Sequence, residues 1–275
     1  MLQPLATFLF VRPVEFGYTT LFLTKSSDHM TEVIETRRLT KRYRNVVAVD
    51  GLDLTVSAGS VTGLLGGNGA GKTTTLSMLL GLLKPTSGEV RIFGEDFVAN
   101  RFPALARMNF SSPYVDLPQR LTVRENLTVY AKLYGFGNAR SKVSRLAEEW
   151  QLEEFLDRRV RRLSSGQKTR VSLAKAFVNE PDLLLLDEPT ASLDPETASW
   201  IRDFLRDYCR RRNATILLAS HDMREVELLC RDVILLRQGK LVERGSPAEL
   251  LKRFGRKNLE DVFLDVVRGD GRAGS

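Results

Sequence analysis

The chain has 275 residues, 43% hydrophobic and 27% charged, which is the balance of a soluble globular protein with one large domain or two small ones. Its two cysteines form no Cys-x-x-Cys pair, which favours a reducing, cytosolic setting, and its two histidines all but exclude a His-rich metal site. The net charge of +7 comes largely from clustered arginines that do not alternate with aromatic residues, which favours solvated surfaces over nucleic-acid contacts.

The first segment, residues 1–29, differs from the rest of the chain. Its apolar patches are interrupted by charged residues, proline and glycine, so no run approaches the ~20 apolar residues that a membrane-spanning helix needs. No basic residue precedes the apolar stretch as it would in a signal peptide. We expect residues 1–29 to be a disordered extension or a misassigned start, and residues 30–275 to form one domain.

From residue 33 onwards, short apolar segments alternate with longer helical ones. Leu52–Val56 alternates as a half-buried strand does, and Val61–Leu65 is a short apolar run that ends in glycines. Three later runs have the length of strands buried in a parallel sheet: Leu183–Leu186, Thr215–Ala219 and Val233–Leu236. Helices are predicted at Thr73–Leu80, Val123–Tyr134, Arg140–Trp150, Gln167–Val178, Pro195–Arg211 and Arg224–Leu229. This order predicts an α/β fold with a mainly parallel sheet.

A glycine-rich segment, Gly66-Gly-Asn-Gly-Ala-Gly-Lys-Thr73, matches G-x-x-x-x-G-K-[ST] between a predicted strand and a predicted helix. Glycines let the backbone N–H groups curl around a phosphate chain, and the helix N-terminus adds a partial positive charge. Lys72 would reach the β and γ phosphates and take part in catalysis, and the Thr73 hydroxyl would ligate Mg²⁺. The residues predicted to bind ATP here are Gly66, Gly67, Asn68, Gly69, Ala70, Gly71, Lys72, Thr73 and Thr74.

One region interrupts the alternation of strands and helices. Roughly Leu105–Ser165 is mostly helical, and it separates the strand candidates near Val90 and Leu183. We expect a helical subdomain at about residues 105–165, inserted in the α/β core.

Two carboxylates, Asp187 and Glu188, directly follow the apolar run Leu183–Leu186. In open α/β sheets, ligands bind at the carboxyl ends of the strands. Beside a phosphate loop, Asp187 would hold Mg²⁺ through water, and Glu188 would accept a proton from the attacking water. The two motifs together predict a nucleotide hydrolase.

Leu163-Ser-Ser-Gly-Gln167 resembles the ABC ATPase signature Leu-Ser-Gly-Gly-Gln, and further matches follow in the order of that family. Ala191–Asp194 looks like the D-loop, and Ala219–His221 looks like the loop of the switch histidine. Tyr43 resembles the aromatic residue that stacks on adenine. The resemblance covers residues 33 to about 267. It implies a P-loop NTPase with a RecA-like parallel core, an N-terminal antiparallel β portion and an inserted helical subdomain.

For the site, the resemblance implies a head-to-tail dimer that encloses ATP and Mg²⁺. Each nucleotide would lie between the phosphate loop of one subunit and the signature of the other, here Ser164, Gly166 and Gln167. His221 would contact the γ-phosphate and hold the attacking water together with Glu188.

Two positions depart from the family pattern. Ser165 stands where the signature usually has glycine, so the backbone there has to accommodate a Cβ. Ser111-Ser-Pro113 occupies the expected place of a glutamine that usually joins the Mg²⁺ shell and couples the site to the membrane subunit. Gln119 is too close to the landmark Leu121–Leu127 to substitute, so we expect a serine hydroxyl or a water in that place.

Leu121–Leu127 and Tyr130–Gly135 resemble the helical subdomain of exporter ATPases for drugs, polysaccharides and lipids. Asn258–Leu264 resembles the C-terminal helix common in that group, expected at about residues 258–268. The resemblance implies a location at the cytoplasmic face of the cell membrane. The implied partners are separate integral membrane permease subunits and a second nucleotide-binding subunit, with no nucleic acid.

Two alternatives to an exporter subunit stay open. A soluble ABC ATPase acting on ribosomes or DNA is disfavoured by the single signature and the lack of sustained heptads. A nucleotide-dependent interaction module without hydrolysis is disfavoured by the presence of both Glu188 and His221.

Overall fold

The computed structural model describes residues 32–112, 116–191 and 193–268. The predicted extension, residues 1–29, lies outside these ranges. The strands are β1 (Glu32–Tyr43), β2 (Val46–Ser57), β3 (Val61–Gly66), β4 (Ser87–Ile92), β5 (Glu95–Asp96), β6 (Met108–Ser111), β7 (Leu183–Asp187), β8 (Thr215–Ala219), β9 (Asp232–Arg237) and β10 (Lys240–Gly245). The helices are α1 (Lys72–Leu79), α2 (Phe102–Arg107), α3 (Val123–Leu133), α4 (Ala139–Glu149), α5 (Ser165–Ala176), α6 (Pro195–Arg212), α7 (Met223–Leu229), α8 (Pro247–Phe254) and α9 (Leu259–Arg268).

A six-stranded sheet forms the centre of the fold, with strand order β10-β9-β3-β8-β7-β6. The five strands β9, β3, β8, β7 and β6 run parallel, and β10 pairs antiparallel at one edge. β7 and β8 are buried along their whole length, and β9 is buried from Val233 to Leu236, as strands covered on both faces are. The predicted α/β fold and its three buried apolar strands are therefore confirmed. Because these strands are parallel, their carboxyl ends lie side by side at one edge.

A second sheet of four strands, β2-β1-β4-β5, is antiparallel throughout, which confirms the expected N-terminal antiparallel portion. Its buried apolar residues belong to the same core cluster as residues of α1 and one face of the central sheet. The turn between β9 and β10 connects it to the glycine-rich loop. Gly239 accepts a hydrogen bond from Asp50 N at 2.9 Å, and its own N–H donates to Ala70 O at 3.0 Å.

The helical segment between β6 and α5 contains α3, α4 and two single turns of 3₁₀-helix, Glu153–Phe155 and Val160–Arg162. The sequence-based boundary at Leu105 is wrong in one respect. Residues 108–111 form strand β6, which pairs in parallel with β7 and belongs to the central sheet. The helical segment therefore begins after Ser111.

An aromatic cluster fixes α5 relative to α4 and α6. Trp150, which follows α4, lies 5.0 Å from Phe177 and 4.4 Å from Phe204 between ring centroids, and Phe177 lies 4.7 Å from Tyr208 in an edge-to-face pair. Such pairs contribute about 0.5–1.5 kcal/mol each beyond the area they bury. The end of α5 is therefore fixed, and so is the direction in which its N-terminus points.

The C-terminal helix expected at residues 258–268 is α9, which buries Leu259, Val262 and Val266. Arg237 at the end of β9 donates a hydrogen bond to Val266 O at 2.9 Å, which attaches α9 to the central sheet. In the part of the chain that the structure describes, no helix has both the length and the apolar character needed to cross a bilayer.

Candidate active site

The glycine-rich loop connects the end of β3 to the start of α1. Gly69 and Gly71 have φ values of 77° and 105°, a region that favours glycine. A Cβ on Gly71 would lie 2.7 Å from Ala48 O, and a Cβ on Gly66 would lie 2.7 Å from Leu236 O, so these two glycines are required by close packing. A Cβ on Gly67 or Gly69 would meet nothing within 4 Å. The space beside these two glycines is therefore open to a ligand.

Lys72, Thr73 and Thr74 form the first turn of α1, and Asn68 is exposed in the loop before it. The Lys72 Nζ donates to Gly66 O at 2.5 Å and reaches Gly67 O at 3.4 Å, so its charge lies over the loop. Burial lowers the pKa of Lys72, while the charges of Glu188 and Asp187 act in the opposite direction. A phosphate at this place would compensate the cost of burying the ammonium.

Asp187 ends β7 and is buried, and burial raises the pKa of its carboxyl group. The hydroxyl of Ser112, the residue that follows β6, donates to Asp187 Oδ2 at 3.3 Å. Thr73, Asp187 and Ser112 offer hydroxyl and carboxylate oxygens, the donor type that Mg²⁺ prefers. The residues present therefore fit a magnesium site, and a serine occupies the place where the family resemblance predicts a glutamine.

Glu188 lies directly after β7 with a φ of 51°, an uncommon value for a non-glycine residue that costs about 1–3 kcal/mol. Its N–H donates to Ala219 O at 2.8 Å, which holds the strained residue beside the end of β8. Its Oε1 lies 2.6 Å from Nδ1 of His221, and its Oε2 lies 3.3 Å from the Ser220 hydroxyl. The structure thus brings the predicted base and the predicted switch histidine into contact.

The predicted signature residues lie at the start of α5. Ser164 is the N-cap and accepts from Gln167 N at 3.2 Å, while the Gln167 side chain accepts from Ser164 N at 3.1 Å. Ser165 begins the helix and is not among the described residues with positive φ, so a Cβ is accommodated at this departure from the family pattern. Within the described ranges, no hydrogen bond or ion pair connects the signature residues to Lys72 or Glu188.

Tyr43 ends β1, in a hairpin whose second strand contacts the glycine-rich loop. Its side chain is 46% exposed, and the Lys41 ammonium lies 5.2 Å from its ring centroid. The exposed ring is available for stacking.

One residue of the site was missed by the sequence reading. Glu225 on α7 accepts hydrogen bonds from Thr190 at 2.6 Å and from Ser220 at 2.9 Å. The only signal in the sequence is an acid four residues after His221, in the first turn of a predicted helix.

Relatives of this chain are transporter subunits. The family described as ABC transporter matches residues 49–191. The bacitracin transport ATP-binding protein BcrA of Bacillus licheniformis is 40% identical over 236 residues, which cover 86% of this chain and 76% of the relative. The Nod factor export ATP-binding protein I of Paraburkholderia xenovorans is 42% identical over 236 residues, covering 85% of this chain and 75% of the relative.

Solved structures agree with the relatives. An ATP-binding subunit of an ABC transporter superposes with a TM-score of 0.77 at 26% identity, covering 85% of this chain and 99% of that one. An ATP-binding cassette in a dimeric, post-hydrolysis state with ADP and Pi superposes with a TM-score of 0.72 at 25% identity, covering 78% of this chain and 98% of that one. The chain belongs to the ABC transporter family, as one of its ATP-hydrolysing subunits.

Proposed function

We propose that the chain powers an exporter, as one of two nucleotide-binding subunits arranged head to tail at the cytoplasmic face of the membrane. It acts on separate integral membrane permease subunits, which carry the transported molecule. Two relatives support export, since their names give bacitracin transport and Nod factor export. The exporter-like segments Leu121–Leu127 and Asn258–Leu264 support the same reading.

In this proposal Glu188 is the general base, and the observation that carries it is the 2.6 Å contact between Glu188 Oε1 and His221 Nδ1. The histidine holds the carboxylate in one orientation when Nδ1 carries the proton. The other ring nitrogen, on a side chain that is 74% exposed, remains available for a γ-phosphate or the attacking water. Glu188 then takes a proton from that water.

The phosphate loop binds the nucleotide through its backbone N–H groups and the charge of Lys72. Thr73 and Asp187 would hold Mg²⁺, with Ser112 contributing through a water, and the ion would supply positive charge to the phosphates. Tyr43 stacks on the adenine. Each of these residues lies on the chain that binds the phosphates.

The signature residues act on the nucleotide of the partner subunit. Among the described residues, the side chains of Ser164 and Gln167 accept hydrogen bonds from each other's backbone N–H groups, and a Cβ on Gly166 would meet the Leu193 side chain at 3.5 Å. The N-terminus of α5 adds a partial positive charge that favours a γ-phosphate across the interface. Two copies arranged head to tail therefore complete two sites.

Replacing Glu188 tests the catalytic assignment. Glu188→Gln keeps the shape of the side chain and removes the proton acceptor, so ATP turnover should fall on the order of a hundredfold with ATP binding retained. The ATP-bound dimer should then accumulate and elute earlier in size exclusion. Turnover at the parental rate would show that another group is the base.

Co-purification tests the partner. The tagged chain should retain an integral membrane protein with about six spanning segments when membranes are solubilised in mild detergent. Capture of ribosomes or DNA in place of a membrane protein would instead support the soluble ATPase. Stimulation of ATP turnover in the purified complex by a candidate export substrate would then identify what is carried.

A further inference from the structure

Glu225 is a carboxylic acid that is only 2% exposed, and no step described above uses it. The Thr190 hydroxyl, in the loop after β7, donates to its Oε1 at 2.6 Å. The Ser220 hydroxyl, in the loop after β8, lies 2.9 Å from its Oε2 and also 3.3 Å from Glu188 Oε2. One buried acid thus joins both loops of the site and reaches the base through a single hydroxyl group.

The position of Glu225 in α7 ordinarily gives a glutamate another task. It is the third residue after the N-cap Asp222. At the same position in α3 and α8, Glu125 and Glu249 fold back and accept a hydrogen bond from the N–H of the N-cap residue. In α7 the N–H of Asp222 instead donates to Ser220 Oγ at 3.1 Å. Glu225 is thereby released from capping and points into the site.

The Ser220 hydroxyl has one proton and stands between two carboxyl groups, so it can donate to only one of them at a time. A protonated Glu225 would donate to Ser220 and leave the serine proton for Glu188. Burial raises the pKa of Glu225, and the neighbouring acids Asp222 and Glu188 act in the same direction, against the hydrogen bonds from Thr190 and Ser220. The distances alone show that the Ser220 hydroxyl contacts both carboxyl groups, so Glu225 controls the direction in which that hydroxyl points.

We propose that Glu225 is a positioning residue for ATP hydrolysis. Through Ser220 it orients the Glu188 carboxylate against His221, and through Thr190 it fixes the loop after β7 relative to the loop after β8. The inference rests on the assignment of Glu188 as the base. Glu225 makes no hydrogen bond or ion pair to the phosphate loop within the described residues, so its loss should impair the chemical step and spare ATP binding.

Steady-state ATP hydrolysis by the full chain gives the first test. Glu225→Ala should lower kcat about 10- to 100-fold, because a base that is no longer held loses its alignment, with KM within about twofold of the parent. Glu225→Gln should stay within about threefold of the parental kcat, since its amide nitrogen donates to Ser220 and its amide oxygen accepts from Thr190. Glu249→Ala is the matched control, at the same position of α8, and should leave kcat unchanged.

A double variant separates positioning from a general structural role. If Glu225 acts through Glu188, then Glu225→Ala adds no further loss to Glu188→Gln in single-turnover hydrolysis. A further loss as large as in the parental background would overturn the proposal, and so would a parental kcat in Glu225→Ala. If Glu188→Gln hydrolyses ATP at the parental rate, the assignment of Glu188 as the base is wrong. This result concerns Glu188 alone, so it can be told apart from a failure of the proposal for Glu225.

Thermal unfolding shows whether each variant folds. Should Glu225→Ala not fold, Ser220→Ala takes its place, because it deletes only the hydroxyl between the two acids. We expect Ser220→Ala to lower kcat with little change in KM. A parental kcat in a folded Ser220→Ala protein would overturn the proposal.

Discussion

The N-termini of α1 and α5, the two helices assigned to ATP, are built in opposite ways. α1 is preceded by Gly71 in the left-handed region, with no side-chain cap and no acidic residue in its first turn. α5 has a complete capping box formed by Ser164 and Gln167. The start of α1 leaves N–H groups for an outside anion, whereas α5 satisfies part of its own N–H groups with side chains. In the proposed arrangement, the start of α1 would bind the phosphates of its own subunit's nucleotide, and the start of α5 would act only on the nucleotide of a partner.

The largest effect in this comparison is expected from Gly71→Ala. At a φ of 105° and with its Cβ 2.7 Å from Ala48 O, an alanine would distort the loop and the start of α1. ATP binding should weaken about 10- to 100-fold, since such backbone strain costs about 1–3 kcal/mol. Equilibrium binding to a single subunit measures this.

Gly166→Ala is the matched variant at α5, where the added Cβ meets only the Leu193 side chain at an ordinary 3.5 Å. ATP binding to a single subunit should be unchanged, while turnover of the assembled dimer falls. Equal weakening by both variants in single subunits would show that the signature contacts ATP within its own chain.

Ser164→Ala tests whether the N-cap of α5 also serves the nucleotide. Loss of the cap should lower the free energy of unfolding by ~1 kcal/mol and also reduce ATP turnover. Ser246→Ala removes the equivalent cap of α8, which has the same reciprocal geometry with Glu249. Ser246→Ala should lower the free energy of unfolding by a similar amount and leave ATP turnover unchanged. If the two variants affect turnover alike, Ser164 is a cap and nothing more.

The two helix starts also show what sequence can predict. The start of α1 follows from local chemistry, because glycines, a lysine and a preceding buried strand define it without reference to distant residues. Strand β6 was missed because its four residues show no period of their own and become a strand only by pairing with β7. Glu225 was missed because a glutamate at that helix position normally caps, and only the contact between Asp222 and Ser220 changes its direction.

A smaller effect is expected where the two regions meet, at Ser111, the last residue of β6, and Ser112, which follows it. Ser112 donates to Asp187 on the phosphate side, and the Ser111 hydroxyl lies 3.2 Å from the Ser172 hydroxyl on α5. Ser112→Ala should raise the activation free energy of hydrolysis by less than about 1.5 kcal/mol, which is the contribution of one hydrogen bond. Transport in vesicles with the membrane subunits should fall more than hydrolysis, because these two residues connect the site to the helical segment.

Ser111→Ala is the companion variant, since it removes the contact with α5 and leaves the one with Asp187. Ser111→Ala should lower transport, and it should lower hydrolysis less than Ser112→Ala does. A proportional fall of transport and hydrolysis in both variants would show that the two serines do not couple them.

The smallest effect on hydrolysis is expected at Lys175, which holds α5 against β6. Its Nζ donates to Phe110 O at 3.1 Å and lies 5.5 Å from the Tyr130 ring, and burial lowers its pKa from 10.5 to about 8. Below the folded pKa, the side chain is protonated in both the folded and the unfolded chain, so the full cost of burying the charge is present. Between the two pKa values the unfolded chain binds more protons than the folded one, so the free energy of unfolding contributed by this group rises with pH.

Lys175→Met fills a similar volume without a charge and should abolish that rise, with hydrolysis at neutral pH close to the parental rate. Urea unfolding between about pH 7 and pH 10 measures the difference in stability between variant and parent, which should shift in favour of the parent as the pH increases. Lys132→Met on the exposed side of α3 corrects for the loss of one positive charge. A difference that stays constant over this range would mean that Lys175 keeps its proton, and that its hydrogen bond to β6 compensates for burial.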